Sequence, residues 1–463
     1  MKVLVIINEP LSNMALGRNS TLSYILSCVA SGDEVFIYNL KNFLHKNKDE
    51  LIATFHLNAD KKLAKTLVEN YQKFNHRIMF AVRENNLNKL SRLLVQKIGK
   101  FLPQNIGLKF LAIKEFELVI QRFEPMKEPF PPIGKKNVDE FLLQLKNLFP
   151  NLIFNCPIGL NDKEIPQEIN QILGKKIATP TAEFKLGEDV SKSINLMSKE
   201  YQKLYQTKKI KLVFKPKNSA QSLGVFAIEF VKNGEDFLKL KSQKTSELKL
   251  AQNYKIKNDL SEKELNKIIK ILCFVQNSKG DEDLQKLTLS QISKKAKKLF
   301  NDQILVQPFL EGVKVGDIRV NFLKDKKGNF YVAGKTFRKS LRATKKNFTT
   351  SYTNGSSAPQ PIELLQKNEI KNLHQKTVQI LKVLNGKLRQ KYQNSTELGA
   401  DFILVGDGKN IFLGEINHHC QGLLPLSEAM AKSLNENSLY EGGLGLTKKA
   451  IEDLKAFQAK AYF

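Results

Sequence analysis

The feature that most constrains this chain is its opening. Val3 to Ile7 is an unbroken apolar run, the mark of a strand buried on both faces. After a polar stretch from Leu11 to Ser20, the apolar residues Leu22, Ile25, Leu26 and Val29 recur at helical spacing. Gly32-Asp33 ends that pattern, and Val35 to Tyr38 is apolar again. A strand buried on both faces needs helices on both sides of its sheet. The predicted class is therefore α/β, beginning with a doubly wound N-terminal domain.

Length leaves room for more. A chain of 463 residues accommodates about two to four domains. Hydrophobic residues at 41% and charged residues at 26% exclude collagen-like, disulfide-scaffold and wholly disordered classes. No apolar run reaches the ~18 residues of a membrane span, and the first ten residues do not read as a signal peptide. Cys28, Cys156, Cys273 and Cys420 form no CxxC pair, which suits reduced thiols and a cytoplasmic location. The net charge of +28 fits lysines dispersed over solvated faces. It also fits a polyanion-binding surface, so nucleic acid is not excluded as a partner, or anionic small-molecule chemistry.

Further strands are expected at Leu118 to Arg122 and Leu152 to Cys156, with an amphipathic helix at Val138 to Leu148 between them. Asn39 to Lys114 is charged, with a helical stretch at Asn88 to Ile98, and otherwise gives no sharp reading. The second half reads as strands at Ile210 to Lys215, Val225 to Phe230, Ile304 to Gln307, Gly316 to Phe322 and Phe330 to Lys335. Lys232 to Asp302 is expected to be a lysine-rich helical insertion, exemplified by Glu262 to Phe274, and Glu369 to Arg389 a long helix. Ala400 to Val405 and Ile411 to Asn417 read as a hairpin around Gly406-Asp407-Gly408-Lys409.

Three constellations carry chemistry. In the hairpin, Glu415 and Asn417 share a face, and the turn sets Asp401 opposite Glu415. Two carboxylates and an amide oxygen then converge, a hard-oxygen set suited to Mg²⁺ (or Mn²⁺) with bound phosphates. An ordinary hairpin with solvent-facing acids would share this pattern. Secondly, Lys215 ends a strand before the polar loop Asn218 to Gly224, which includes Ser222, as a phosphate cradle would; an exposed lysine on a polar hairpin is the alternative. Thirdly, a strand stopping at Pro308 exposes backbone donors and acceptors to a flat ligand such as adenine, with Glu311 for ribose hydroxyls. Arg319 projects from the next strand as a phosphate clamp. His418-His419-Cys420 makes a poor zinc chelate, because adjacent strand residues point to opposite faces.

In this order and spacing the constellations resemble the ATP-grasp superfamily, most of all prokaryotic glutathione synthetase. The likeness also runs through Asn19-Ser20-Thr21, Gly32-Asp33-Glu34-Val35-Phe36, Val119 to Pro125, Asn155-Cys156-Pro157, Leu160-Asn161-Asp162, Lys215-Pro216, Gly316-Asp317-Ile318-Arg319 and Glu415-Ile416-Asn417. It implies a pre-ATP-grasp domain over 1–160 and a lid subdomain over 161–310 carrying the 232–302 insertion. A catalytic subdomain with mixed and antiparallel sheets would cover 311–463. It further implies ATP at Lys215, Ser222, Gln307, Phe309, Leu310 and Glu311, and two Mg²⁺ ions at Asp401, Glu415 and Asn417. Arg319 and Arg338 would act on the reacting groups. Arg342, Lys345, Asn347, Asn354 and Gly355 would bind the acid substrate.

The implied reaction is peptide-bond formation through an acyl phosphate, joining γ-glutamylcysteine to glycine. A ligase for another acid or amine and a non-catalytic polyanion-binding protein are the alternatives, and homo-oligomerisation is left open. Four departures from the family pattern bear on the substrates: Asn218 to Ser222 replaces a glycine-rich loop, Lys345-Lys346-Asn347 replaces Arg-Gly-Asn, an earlier ATP-contacting lysine has no clear counterpart, and His418-His419-Cys420 follows Glu-Ile-Asn.

Overall fold

The computed structural model describes residues 1–7, 25, 28–29, 32–39, 51–57, 106–112, 116–122, 143, 147, 153–154, 163–185, 191–207, 209–217, 226–233, 237–240, 254–255, 270–276, 282–288, 303–325, 327–340, 357–360, 362–393, 395 and 397–418. Three sheets follow one another along the chain.

The first holds β1 (Lys2–Ile7), β2 (Glu34–Asn39), β3 (Leu51–Leu57), β4 (Ile106–Ala112), β5 (Leu118–Arg122) and β6 (Ile153–Phe154), in the order β4-β3-β2-β1-β5-β6. β1 pairs in parallel with β2 and β5, and β5 with β6. Val3, Leu4, Val5 and Ile6 are fully buried, as are Ile25 and Cys28 from the helical stretch after β1. The continuous apolar run thus does what its pattern requires. β3 and β4 add an antiparallel edge in the region whose charge hid its strands. Leu143 and Asn147 are helical, as expected, whereas Asn88 to Ile98 lies outside the described residues.

α1 (Ile165–Leu173) begins with Pro166 in its first turn and ends on Gly174 at φ 60°, a left-handed stop that glycine adopts without strain. The second sheet follows. It contains β7 (Ala182–Lys185), β8 (Lys209–Pro216), β9 (Phe226–Asn233), β10 (Phe237–Leu240), β11 (Tyr254–Lys255), β12 (Lys270–Gln276), β13 (Glu282–Thr288) and β14 (Gln303–Pro308). Its main path is β11-β10-β9-β8-β14-β7, with β12 joining β9 and β13. α2 (Ser191–Tyr205) packs on β7, β8 and β14. The helical expectation for the insertion is corrected here: Lys270 to Gln276 is a strand, antiparallel to β9 and β13. Its run Ile271-Leu272-Cys273-Phe274-Val275 is rich in strand formers, and a free edge on β9 decides the outcome over helical spacing.

The third sheet is antiparallel, in the order β17-β16-β15-β18-β19. Its strands are β15 (Gly316–Lys324), β16 (Phe330–Ser340), β17 (Ser357–Gln360), β18 (Glu397–Leu404) and β19 (Ile411–Asn417). α3 (Lys367–Asn385) covers one face, its N-terminus closed by Glu369 accepting from the Gln366 N–H at 3.1 Å. Leu373, Ile380 and Leu384 from α3 join Ile318, Val320, Phe322, Phe402 and Leu413 in one core. Ile165, Ile169, Ile177 and Ala178 belong to the same core, so α1 packs on the third sheet although it precedes the second. Gly312, in the turn between β14 and β15, passes so close to Leu404 that a side chain there would collide with the β18 backbone.

Candidate active site

Alternation along three neighbouring strands builds the site. Residues two apart share a face, so Asp317 and Arg319 stand together on β15, and Asp401 on β18 lies opposite Arg319. Asp401 is in turn opposite Glu415 on β19, and Gly399 opposite Asn417. On the other side of β15, Arg338 faces Asp317. The hairpin turn that fixes this register is closed by Asp407, whose carboxylate accepts from the N–H of Lys409 at 2.9 Å and of Asn410 at 2.7 Å. Between Asp401 and Phe402 the register slips by one residue at Gly414, a bulge that ends regular pairing beside the acids.

The charges interlock. Arg319 forks onto both oxygens of Asp401, with Nη2 to Oδ2 at 2.8 Å. Arg338 forks onto Asp317 at 2.6 and 2.5 Å, and its Nη2 lies 2.9 Å from Asp401 Oδ1. All four side chains are about nine-tenths buried. Asn417 donates from Nδ2 to Asp401 at 3.0 Å, which turns its amide oxygen to the opposite side. Burial pushes the Asp401 carboxyl up, but Arg319 and Arg338 overcome that and hold it below the usual carboxylate range. Asp401 is therefore ionised, as a cation ligand must be. Burial drags the Lys215 ammonium below the usual lysine range, while the carboxylates of Glu415 and Asp401 act to raise it. Lys215 on β8 thus lies within electrostatic reach of the acids of the third sheet.

At the end of β14 a second group forms. Gln307 is buried and donates to the Thr181 hydroxyl at 2.8 Å. The backbone beyond Pro308 is less bare than the sequence implies. The Phe309 N–H donates to the Lys211 carbonyl at 2.9 Å, because the ladder with β8 runs one residue past the proline. The Leu310 carbonyl accepts from Val313, and the Glu311 N–H donates to the Tyr205 hydroxyl. The Glu311 carboxylate is bound by Lys211, Lys314 and the Tyr201 hydroxyl. Burial raises its pKa, but the two lysines more than reverse this. In this structure Glu311 thus holds the turn to β8 and α2.

The structure brings together Arg319, Arg338, Asp401, Glu415 and Asn417 on the third sheet, with Lys215 within electrostatic reach of its acids, and groups Gln307, Phe309, Leu310 and Glu311 along the turn after β14. Ser222, Arg342, Lys345, Asn347, Asn354 and Gly355 lie outside the described residues. Sequence reasoning missed Asp317 as a partner of Arg338. The alternation in Gly316-Asp317-Ile318-Arg319 was the available signal. It also missed Thr181, Lys211 and Tyr201, which only tertiary contacts reveal. His418 is buried, with Nε2 2.9 Å from the Tyr392 hydroxyl. Among the described residues no three His, Cys, Asp or Glu side chains gather as a metal cluster; the site's oxygen set is two carboxylates and an amide.

Sequence comparison decides the family: the YheC/D-like ATP-grasp model matches residues 189–439, just over half of the chain. The chain belongs to this family. Its mixed and antiparallel sheets are those expected of an ATP-grasp fold. Comparison with curated proteins finds no match. Among solved structures, it is similar to the D-cycloserine synthetase DcsG, at 10% identity over 97% of this chain and 99% of that one, TM-score 0.47. The D-alanyl-alanine synthetase A of Vibrio cholerae gives 9% identity, 99% of each chain and TM-score 0.48. The D-alanine–D-alanine ligase of Coxiella burnetii gives 9%, 100% of each chain and TM-score 0.43.

Proposed function

We propose that this ATP-grasp protein phosphorylates a carboxylate with ATP and passes the acyl group to an amine. The observation that carries the reading is the register Arg319–Asp401–Glu415 across three strands, with Asn417 beside it. Such a reaction needs no protein nucleophile; it needs positioning and charge neutralisation. Lys215 and the loop with Ser222 would hold phosphates, and Gln307, Phe309, Leu310 and Glu311 the nucleoside. Arg319 and Arg338 would set the geometry of the charged centre.

The donor set fits a hard divalent cation: an ionised carboxylate, a second carboxylate opposite it and an amide two residues along the same strand. Asp401, Glu415 and Asn417 would hold Mg²⁺, which supplies charge neutralisation of phosphate when bound. Arg342, Lys345, Asn347, Asn354 and Gly355 would bind the acid. We assign the three sheets to an N-terminal substrate unit, a lid and a catalytic unit, divided near 160 and 310, in a cytoplasmic enzyme. The ordered motifs support γ-glutamylcysteine and glycine as the substrate pair.

The test is incubation with ATP, Mg²⁺, γ-glutamylcysteine or other acids, and a panel of amino acids, with ADP and ligated product as readouts. We expect metal-dependent ADP release that requires both acid and amine, and loss of most of it in Glu415→Gln. ADP release with another pair would keep the ligase and replace its substrates. Nucleotide binding with no turnover under any pair would leave a polyanion-binding protein, a reading its charge of +28 favours.

A further inference from the structure

β19 is held unevenly along its length. It ends the third sheet, and among the described residues β18 is its one partner strand. Its first half gains a second support. The Leu413 N–H donates to the Ile177 carbonyl at 3.0 Å, and the Leu413 carbonyl accepts from the Thr179 N–H at 2.9 Å. Past the bulge at Gly414 no such neighbour follows among the described residues, and the register with β18 ends at Asn417 opposite Gly399. Glu415 and Asn417, both assigned to the cation, thus stand on the half of the strand with fewer backbone ties.

His418 follows at once. Alternation sends it to the face of Ile416, which is fully buried in the core, and away from Asn417. A buried imidazole is tolerated there only with a hydrogen-bond partner. Its Nε2 lies 2.9 Å from the Tyr392 hydroxyl, and the two rings pack with centroids 5.3 Å apart. Tyr392 is a fixed post. It is fully buried, and its ring meets Phe330 edge-on at 6.2 Å. Its carbonyl accepts from the Lys324 ammonium and from the Ser395 N–H at 3.0 Å. Asn417 needs such a post nearby. Its Nδ2 donates to two groups of β18, Asp401 Oδ2 at 3.0 Å and the Gly399 carbonyl at 3.4 Å. Those contacts orient the amide only while Asn417 keeps its register.

We propose that Tyr392 and His418 are positioning residues for the divalent cation: their buried bond fixes the end of β19 and, through it, the amide of Asn417. His418 then neither binds metal nor lines the substrate pocket; it faces the core and acts through its neighbour in the chain. The inference rests on the cation reading of Asp401, Glu415 and Asn417 and deepens it by naming what holds the amide in place.

The experiment titrates Mn²⁺ into the full chain by calorimetry, alone and with stoichiometric ADP. Tyr392→Phe keeps the ring and removes only the hydroxyl. It should weaken Mn²⁺ by about ten-fold, as loss of an outer partner of a metal ligand does, and leave the affinity for metal-free ADP unchanged. His418→Leu removes the same bond from the other side, so the double variant should be no weaker than either single one. His418→Gln sets an amide where Nε2 stood and should keep the wild-type affinity. Asn417→Ala should weaken Mn²⁺ directly, and adding Tyr392→Phe to it should change nothing more. His418→Leu and His418→Gln carry the test if Tyr392→Phe does not fold. Unchanged Mn²⁺ affinity in a folded variant lacking the bond, even with a lower urea midpoint, would overturn the proposal and leave the bond to the core alone. A further loss on adding Tyr392→Phe to Asn417→Ala would also overturn it. A wild type that binds no Mn²⁺ with or without ADP would overturn the cation reading itself.

Discussion

Replacing Arg338 with alanine tests whether the charged network stabilises the fold or awaits a substrate. Arg338 makes two bonds to Asp317, at 2.6 and 2.5 Å, and approaches Asp401 at 2.9 Å, in a place where arginine and aspartates are each 9% exposed. Removing one member of a buried ion pair costs about 3–5 kcal/mol, because the remaining charge keeps its desolvation penalty. An exposed pair would lose under about 1 kcal/mol. The chain has no tryptophan, so urea unfolding is best followed by far-ultraviolet circular dichroism. We expect Arg338→Ala to lose about 3–5 kcal/mol. Asp317→Asn combined with it should lose less than the two single losses added, as coupled neighbours do. A loss below about 1 kcal/mol, or strict additivity, would refute the network and leave Arg338 only the role the sequence resemblance implies, acting on the reacting groups. The acid limb follows the same logic. Arg319 and Arg338 hold Asp401 below its unfolded value of about 4. Its stabilising contribution is therefore full above that pH and is lost as the pH falls through the lower folded value. In Arg338→Ala this acid-dependent loss should shrink.

Two further outcomes follow from single lysines. Lys215→Ala should weaken nucleotide by roughly ten- to a hundred-fold while changing acid affinity less, measured by calorimetry with each ligand alone, because a charge-assisted contact contributes about 1.5–3 kcal/mol; unchanged nucleotide affinity would contradict the phosphate assignment. Burial, with the Arg389 charge in support, pulls Lys324 down to about 7. The unfolded chain then binds the extra proton between about pH 7 and 10, so wild-type stability relative to Lys324→Met should rise with pH across that window, by at most about 1.4 kcal/mol per pH unit. A pH-independent difference would show that Lys324 is solvated.

What could be read in advance was whatever repeats along one strand. Val3 to Ile7 announced a doubly covered strand, and the Gly406 turn fixed Asp401 against Glu415. Periodicity failed where burial on a sheet edge competes with charge: β3, β4 and β12 lie in lysine-rich sequence, and their pairing depends on strands far away in the chain. The site was legible as a set of residue types and silent about who faces whom. Nothing local says that Arg338 turns to Asp317, that Glu311 is held by Lys211 and Lys314, or that Gln307 bonds to Thr181. These are contacts between elements, and composition along one element does not encode them.

The network also explains why such a site should depend on added cations. Lys215, Arg319 and Arg338 stand against Asp317, Asp401 and Glu415, so the positive and negative side chains balance. A polyphosphate entering this face meets arginines that already grip carboxylates, in surroundings where charges are weakly screened. To contact an arginine it must take the place of a buried aspartate, which then loses a partner at a cost of several kcal/mol. Divalent charge brought in with the phosphate removes that conflict. The aspartate gains a new counter-ion as it shares its arginine, and the balance is restored in the bound state. Under the proposed function the buried balance makes metal and nucleotide mutually dependent ligands of one site, with that dependence at Asp401, onto which Arg319 forks.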